Sequence, residues 1–171
     1  MSGAGILETT QYLTFKLDEE IFALDISKVR EVLDFTTITK VPRTPEFMRG
    51  VINLRGSVVP VVDLRLKFGM APTERTVNTC IIITEVTVDG ETTVLGALAD
   101  SVQEVMDLGP DHIEPAPKIG TRLNTEFIKG MGKQNEKFVI LLDIDRVFST
   151  EELFLAQAGE SGPTGEAVPL V

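Results

Sequence analysis

Residues 47–64 read FMRGVINLRGSVVPVVDL and decide the fold of the first half of the chain. Two short apolar runs, VINL and VVPVV, flank an Arg-Gly-Ser tripeptide. Gly56 can adopt the positive φ that a tight turn between paired strands requires, so the stretch predicts a β-hairpin. Thr44 as N-cap, Pro45 at the first helical position and Gly50 at the end predict a helical turn that leads into this hairpin.

The same plan returns in the second half, where residues 127–144 read FIKGMGKQNEKFVILLDI. Three landmarks recur at a constant offset of 80 in residue number: Phe47 and Phe127, Gly50 and Gly130, Asp63 and Asp143. An upstream segment, VREVL at 29–33, returns as VQEVM at 102–106, an offset of 73. The sequence therefore predicts a duplicated unit with seven extra residues in its second copy, around 118–124.

Composition narrows the class of protein. The chain has 171 residues, 43% of them apolar, and 26 acidic against 16 basic side chains give it a net charge of −10. A surface of that sign repels phosphate backbones and anionic lipid headgroups, so we expect no nucleic-acid partner and no membrane insertion. A single cysteine and the lack of a basic-then-apolar leader favour a cytoplasmic location.

Local patterns divide the chain into a folded part and two tails. The apolar spacing of DISKVREVL at 25–33 predicts a short helix, and Ser149 with Glu152 forms a capping box that begins another. Glycine, proline and small polar residues predict disorder at both ends. The predicted ranges are one domain over 11–150, made of subdomains 11–65 and 79–147, a C-terminal helix over 150–158, and disordered tails at 1–10 and 159–171.

Catalytic side chains are scarce. The only histidine, His112, lies in a Gly-Pro-Asp-His turn, and Cys80 begins an apolar strand, where a buried thiol is expected. Asp63 and Asp143 could form an acid/base pair, but duplication alone yields matched residues and aspartate at a strand exit commonly accepts turn N–H groups. No phosphate-binding glycine loop or metal-ligand spacing is present, so we predict no cofactor, no metal and no enzymatic activity.

Two positions remain open on residue patterns alone. Arg55 lies with Asn53 on a rigid hairpin turn, which suits a binding contact as well as it suits a solvated turn residue. Val29 belongs to an apolar face, so a place in the core is favoured over a contact.

Taken together, DISKVREVL, TPEFMRGVINLRGSVVPVVDLRLKFG and the returning EFIKG and FVILLDI segments resemble the CheW family of bacterial chemotaxis coupling proteins. The resemblance covers residues 12–156, and G-V-x-N-L-R-G-x-x-x-P-V-x-D-L at 50–64 is a specific family marker. It implies an all-β fold: two five-stranded SH3-like β-barrels packed around a shared hydrophobic core, with short helical turns and a C-terminal helix. The resemblance implies no catalysis, and it favours a binding role for Val29 and Arg55.

The resemblance also implies partners. Family members bridge the cytoplasmic tip of a chemoreceptor to the regulatory domain of a histidine kinase within membrane-associated receptor arrays, and like barrels can pack into rings. The receptor tip, a helical hairpin, is expected in the groove between the barrels. The residues matching that groove are Val29, Glu31, Asn53, Arg55, Gly56, Cys80 and Ile82. Cys80 stands where a β-branched residue is more usual, which is expected to loosen a receptor contact or set receptor preference. Kinase-binding residues are not assigned, and the turns at 46–49 and 126–129 are candidates only.

Three alternatives stay open at this point. One is a double-barrel regulator that binds a peptide or small molecule and has no kinase partner, since SH3-like barrels host many functions. Another is a hydrolase built on Asp63 and Asp143, which requires the two carboxylates to meet in one cleft. The third is an adaptor of the same family in a non-flagellar motility pathway.

Overall fold

The computed structural model describes residues 9–115, 125–134, 136–149 and 151–152. Short 3-10 segments lie at Ile26–Lys28, Pro110–His112 and Thr125–Phe127. The strands and α-helices are β1 (Thr10–Leu17), β2 (Glu20–Asp25), β3 (Val29–Asp34), β4 (Met48–Leu54), β5 (Ser57–Asp63), α1 (Leu64–Lys67), β6 (Cys80–Val88), β7 (Glu91–Ala99), β8 (Ser101–Leu108), β9 (Ile113–Glu114), β10 (Ile128–Gln134), β11 (Lys137–Leu142) and α2 (Ile144–Val147).

These strands form two curled sheets. One is six-stranded, in the order β8-β1-β2-β11-β10-β9, and the other is five-stranded, in the order β3-β6-β7-β5-β4. The predicted all-β fold of two SH3-like barrels is confirmed. The six-stranded barrel exceeds the predicted five strands because the two-residue β9 pairs with β10.

The hairpin predicted at 47–64 is present as β4 and β5, which pair in antiparallel register. Its turn residues, Arg55 and Gly56, have φ values of 49° and 89°, the positive pair that a type I′ turn requires. The predicted end of the preceding turn at Gly50 is wrong, because Gly50 lies within β4. A Cβ there would lie 2.2 Å from the Thr39 carbonyl oxygen, so close backbone approach explains the glycine.

The duplication extends to individual hydrogen bonds. The Asp63 N–H donates to the Phe47 carbonyl at 2.7 Å, and the Asp143 N–H donates to the Phe127 carbonyl at 2.8 Å. The two hairpins also shift register at the same point, between Met48 and Gly50 in one and between the counterparts of these residues in the other. The two halves therefore fold by the same local plan.

The barrels do not follow the two halves of the sequence. Hairpin β1–β2 lies in the six-stranded sheet beside β8 and β11, whereas hairpin β6–β7 lies in the five-stranded sheet between β3 and β5. The predicted subdomains 11–65 and 79–147 therefore do not coincide with the barrels, because the halves exchange their hairpins. Repeated halves carry the same apolar pattern, so the pattern alone cannot specify which hairpin joins which strands.

The helix predicted at 25–33 is also wrong. The Asp25 carboxylate accepts a hydrogen bond from the Ser27 N–H at 2.9 Å and caps a single 3-10 turn, after which the chain becomes β3. The segment is too short to hold a helix alone, and pairing of its β-branched residues Val29 and Val32 with β6 outweighs the helical spacing.

In the part of the chain that the structure describes, the buried apolar side chains form three hydrophobic clusters. The largest lies between the two sheets, and each barrel also has an interior cluster. Successive side chains of β6 point to opposite faces of the sheet and so contribute to two of these clusters. Ile82 packs in the shared core, while Ile81 and Ile83 pack inside the five-stranded barrel. The shared core between the barrels is as predicted.

The chain ends of the predicted domain are partly described. The capping box is present, with the Ser149 N–H donating to Glu152 Oε1 at 2.9 Å and the Glu152 N–H donating to Ser149 Oγ at 3.1 Å. Strand β1 begins at Thr10, the last residue of the predicted N-terminal tail. The predicted loop at 118–124, most of the helix at 150–158 and the tail at 159–171 lie outside the described residues. Among the helices that the structure does describe, none has the length and apolarity to cross a membrane.

Candidate functional site

Two of the predicted site residues, Glu31 and Arg55, form an ion pair between two edges of the five-stranded sheet. Arg55 projects from the β4–β5 turn, and its guanidinium binds the carboxylate of Glu31 on β3. Because β3 and β4 are the outer strands of the five-stranded sheet, this pair closes the barrel edge to edge. The hydrogen bond from Arg55 holds the pKa of Glu31 below its ordinary value. Arg55 nevertheless keeps 70% of its side chain exposed and so remains available to a partner.

Asn53 and Gly56 build the turn that holds Arg55 in place. The Asn53 Oδ1 accepts a hydrogen bond from the Gly56 N–H at 2.8 Å. This contact adds a side-chain clamp to the type I′ turn, which fixes the base of the Arg55 side chain. The structure therefore brings four predicted residues, Glu31, Asn53, Arg55 and Gly56, to one corner of the barrel.

Val29 lies near this corner but at the boundary of the core. It begins β3 directly after the 3-10 segment, is half-buried and packs against the shared cluster between the barrels. It therefore presents part of an apolar surface on the same strand as Glu31.

Cys80 and Ile82 are buried, with 7% and 0% of their surface exposed. They lie on β6, paired with Asp34 and Val32 of β3, and both pack in the shared core. Burial raises the pKa of the Cys80 thiol. Neither side chain is accessible in this structure, so a part in binding can only be indirect, through support of β3.

The two matched aspartates have different surroundings. Asp63 is fully buried, and its carboxylate accepts hydrogen bonds from Arg49 Nη1 at 2.7 Å, from the Thr73 N–H at 2.9 Å, from the Thr73 hydroxyl at 2.7 Å and from the Arg65 N–H at 3.1 Å. A carboxylate so enclosed cannot contact a substrate. Asp143 is partly exposed, with Arg146 Nε at 3.6 Å.

The remaining candidate for catalysis, His112, is exposed in its 3-10 turn. Across 9–115 and the later described stretches, no three His, Cys, Asp or Glu side chains come together as metal ligands.

Sequence reasoning missed an aromatic cluster around Lys67. Its ammonium lies 5.2 Å from the ring centroid of Phe47 and 5.8 Å from those of Phe127 and Phe148, and it forms a 2.6 Å ion pair with Glu152. The repeated Phe47 and Phe127 were the available signal, but their meeting depends on how the barrels pack. The cluster holds the start of the C-terminal helix against both halves.

Pairs of exposed apolar residues were also missed. Val58 and Phe138, related by the offset of 80, expose 51% and 49% of their surface, and Val32 and Val105, related by the offset of 73, expose 41% and 48%. Val58 and Phe138 each line an open depression at one end of a barrel. The duplication thus repeats a surface feature as well as the fold.

The family of the chain follows from its similarity to known proteins. A family model described as the CheW-like domain matches residues 11–152. The chain belongs to the CheW-like domain family. The chemotaxis protein CheW of Klebsiella aerogenes is 36% identical over 152 residues, which covers 89% of each chain. The probable chemotaxis protein CheW of Rhizobium etli is 32% identical over 142 residues, 83% of this chain and 89% of the relative.

A solved CheW structure supports the same assignment. The crystal structure of the scaffolding protein TtCheW from Thermoanaerobacter tengcongensis superposes with a TM-score of 0.74 at 34% identity, covering 89% of this chain and 96% of that chain. The predicted family is confirmed. CheW proteins are non-catalytic scaffolds, so the expectation that this chain is a chemotaxis adaptor rather than an enzyme is also confirmed.

Proposed function

We propose that this chain couples the cytoplasmic tip of a chemoreceptor to the regulatory domain of a histidine kinase, so that the receptor controls kinase activity. The exposed Arg55 guanidinium, held on a clamped turn by Glu31, is the observation that carries this proposal. A charge fixed on a rigid turn recognises a partner at low cost in side-chain entropy. The protein acts in the cytoplasm, at membrane-associated receptor arrays.

The receptor contact lies at the Arg55 corner. A helical hairpin presents one apolar face, and half-buried Val29 beside the Glu31–Arg55 pair offers an apolar strip with a charged border that suits such a face. Asn53 and Gly56 contribute by fixing the turn. Cys80 and Ile82 contribute from behind β3, where their packing sets the position of the strand.

The kinase contact lies at a barrel end. Phe47 and Phe127, from the candidate turns at 46–49 and 126–129, are occupied in the aromatic cluster around Lys67, which leaves less of those turns for a partner. Val58 and Phe138 lie at equivalent barrel ends, but Val58 lines the same depression as Arg55, so the depression at Phe138 is the proposed kinase contact. Because the two ends are equivalent, they suit docking of like barrels, including barrels in a ring.

The test uses receptor fragment, histidine kinase and this protein sedimented together, with kinase autophosphorylation measured in the same mixtures. Arg55→Glu is expected to weaken receptor-dependent kinase control while circular dichroism shows an intact fold. Arg75→Glu makes the same charge change at an exposed residue in the connection between α1 and β6, so it is the control and should behave as wild type.

A second variant separates receptor contact from the internal ion pair. Glu31→Arg combined with Arg55→Glu restores the pair with reversed charges, and we expect control to stay impaired because the receptor meets the wrong charge. Full recovery in this variant would assign Arg55 only to barrel closure. Failure of the wild-type protein to bind either partner would reject the coupling function and favour the alternative of a double-barrel regulator, to be tested by a ligand screen.

A further inference from the structure

One short helix, α2, fastens the link between β2 and β3. The Asp145 carboxylate forms a 2.7 Å ion pair with Lys28 in that link, and it accepts a hydrogen bond from the Thr87 N–H near the end of β6 at 2.8 Å. The two charged side chains are 31% and 29% exposed. A single carboxylate thus ties together the helix of the six-stranded barrel, the exit of its hairpin and a strand of the other barrel. We call this contact the α2 latch.

The other short helix, α1, fastens the link between β7 and β8. Arg65 Nη1 lies 2.8 Å from Asp100 Oδ2, and Asp100 is the only residue between those two strands. The same Asp100 oxygen accepts a hydrogen bond from the Asp18 N–H, just beyond the end of β1, at 2.7 Å. The pair is more deeply buried, with Arg65 16% and Asp100 25% exposed. We call this contact the α1 latch.

The two latches are opposite in charge, and the duplication relates their helix residues directly and their link residues to within one position, since Asp100 matches Ser27 and Lys28 matches Ser101 by the offset of 73. Arg65 and Asp145 are related by the offset of 80, and Asp18 and Thr87 occupy matched ends of β1 and β6 by the pairing of those strands with β8 and β3. In the α1 latch the helix carries the cation and the link carries the anion. In the α2 latch the helix carries the anion and the link carries the cation.

We propose that these charge-reversed latches select which hairpin joins which barrel. In the observed exchanged arrangement, each helix meets a link of opposite charge. If each hairpin packed instead on the strands of its own half, Arg65 would meet the link that carries Lys28, and Asp145 would meet the link that carries Asp100. In each case the like charge would lie one position from the site that the opposite charge occupies now, in partly buried surroundings where repulsion is poorly screened.

Selection by charge is useful in a duplicated chain, because the repeat leaves the pairing of hairpins and barrels poorly specified. The apolar positions of the two halves match, so hydrophobic packing discriminates weakly between exchanged and unexchanged pairings. A charge pattern that attracts in one pairing and repels in the other discriminates without altering the core. The latches act at the links, the points at which the chain passes from one barrel to the other.

Strand pairing can be measured by disulfide formation in a Cys80→Ala background. Gln11 of β1 directly opposes Asp107 of β8, and both are exposed, so Gln11→Cys with Asp107→Cys reports the exchanged pairing. Asp34, exposed on β3, is the residue equivalent to Asp107 by the offset of 73, so Gln11→Cys with Asp34→Cys reports the unexchanged pairing. Each reporter is refolded from urea in a glutathione buffer, and monomeric cross-links are identified by mass spectrometry.

Reversing both helix charges, with Arg65→Asp and Asp145→Lys, makes both latches repulsive in the exchanged arrangement and attractive in the unexchanged one. We expect the ratio of exchanged to unexchanged cross-links to fall roughly tenfold or more. Adding Lys28→Asp and Asp100→Lys restores opposite charges at both latches and should raise the ratio again. The fourfold variant also loses two carboxylates that accept backbone N–H groups, so partial recovery is the expected result.

The control Arg65→Gln with Asp145→Asn keeps hydrogen-bonding groups and removes charge, and it should give an intermediate ratio. An unchanged ratio in the folded helix-reversed protein would overturn the proposal. If that variant does not fold, the milder Arg65→Asp protein decides by the same ratio. A fourfold variant with no recovery over the helix-reversed one would equally show that charge does not select the pairing.

Discussion

Replacing Asp63 by alanine is expected to destabilise the protein much more than replacing its counterpart, Asp143. Asp63 is fully buried, and its loss strands the N–H and hydroxyl of Thr73, which is itself 6% exposed, and removes the partner of Arg49. A buried donor left unpaired costs about 1–3 kcal/mol, and breaking a buried ion pair costs about 3–5 kcal/mol. Arg49 is 34% exposed and regains water, so we expect a net loss of about 3–4 kcal/mol.

The assay is urea unfolding followed by circular dichroism, with Asp143→Ala as the matched control. For a domain of this size, the expected loss in Asp63→Ala lowers the unfolding midpoint by roughly 1.5 M urea. Asp143 is 34% exposed, lies 3.6 Å from Arg146 and makes no side-chain cap bond to α2, so its removal should cost less than about 1 kcal/mol. Equal losses in the two variants would refute the assignment of Asp63 as a structural centre and reopen its reading as a functional carboxylate.

Three further predictions concern two glycines of the β4–β5 hairpin, the Cys80 thiol and the ion pair between Lys67 and Glu152. Gly50→Ala should lower the free energy of unfolding by about 3 kcal/mol or more, because the added Cβ meets a backbone oxygen at 2.2 Å. Gly56→Ala meets no neighbouring atom and should lose only about 1 kcal/mol, for its positive φ. Urea unfolding compares the two variants. Cys80, whose pKa is raised by burial, should react with iodoacetamide far more slowly in the folded protein than in urea. Burial opposes ionisation of Glu152, but hydrogen bonds from Lys67 and from Ser149 hold the pKa of its carboxyl below 4.5. The ionised carboxylate therefore stabilises the fold above that pH, and this contribution is lost as the pH falls through the folded pKa. The difference in unfolding free energy between the wild type and Glu152→Gln should disappear on acidification.

Local chemistry made much of the fold predictable from the sequence. A glycine in a two-residue turn between apolar runs is specific for a hairpin, and β4–β5 forms with the expected positive φ at Gly56. The capping box at Ser149 and Glu152 is equally local and is present. The repeated landmarks predicted the duplication because a repeat is visible without knowledge of any contact.

Long-range pairing was less predictable. The helical spacing at 25–33 was real, but the pairing of β3 with β6 decided the structure, and that partner strand lies beyond β4, β5 and α1 in the sequence. The Glu31–Arg55 pair could not be foreseen for a related reason, since it depends on the curl that brings the two outer strands of one sheet together. The burial of Ile82 follows from which face of β6 meets the shared core, and an unbroken apolar strand does not reveal its faces.

Exchange of hairpins also gives the proposed adaptor a physical route for coupling. The receptor contact proposed at Val29 and Glu31 lies on β3, a strand of the five-stranded barrel that begins directly after a link from the six-stranded barrel. Lys28 in that link is fastened to Asp145 on α2, and α2 follows β11, which begins beside the exposed Phe138. If receptor binding displaces β3, as the proposal requires, we expect the displacement to act on a helix and strand of the opposite barrel, where a kinase contact is proposed. Two barrels joined only by a flexible linker would lack this connection, because each would keep its own strands and move independently.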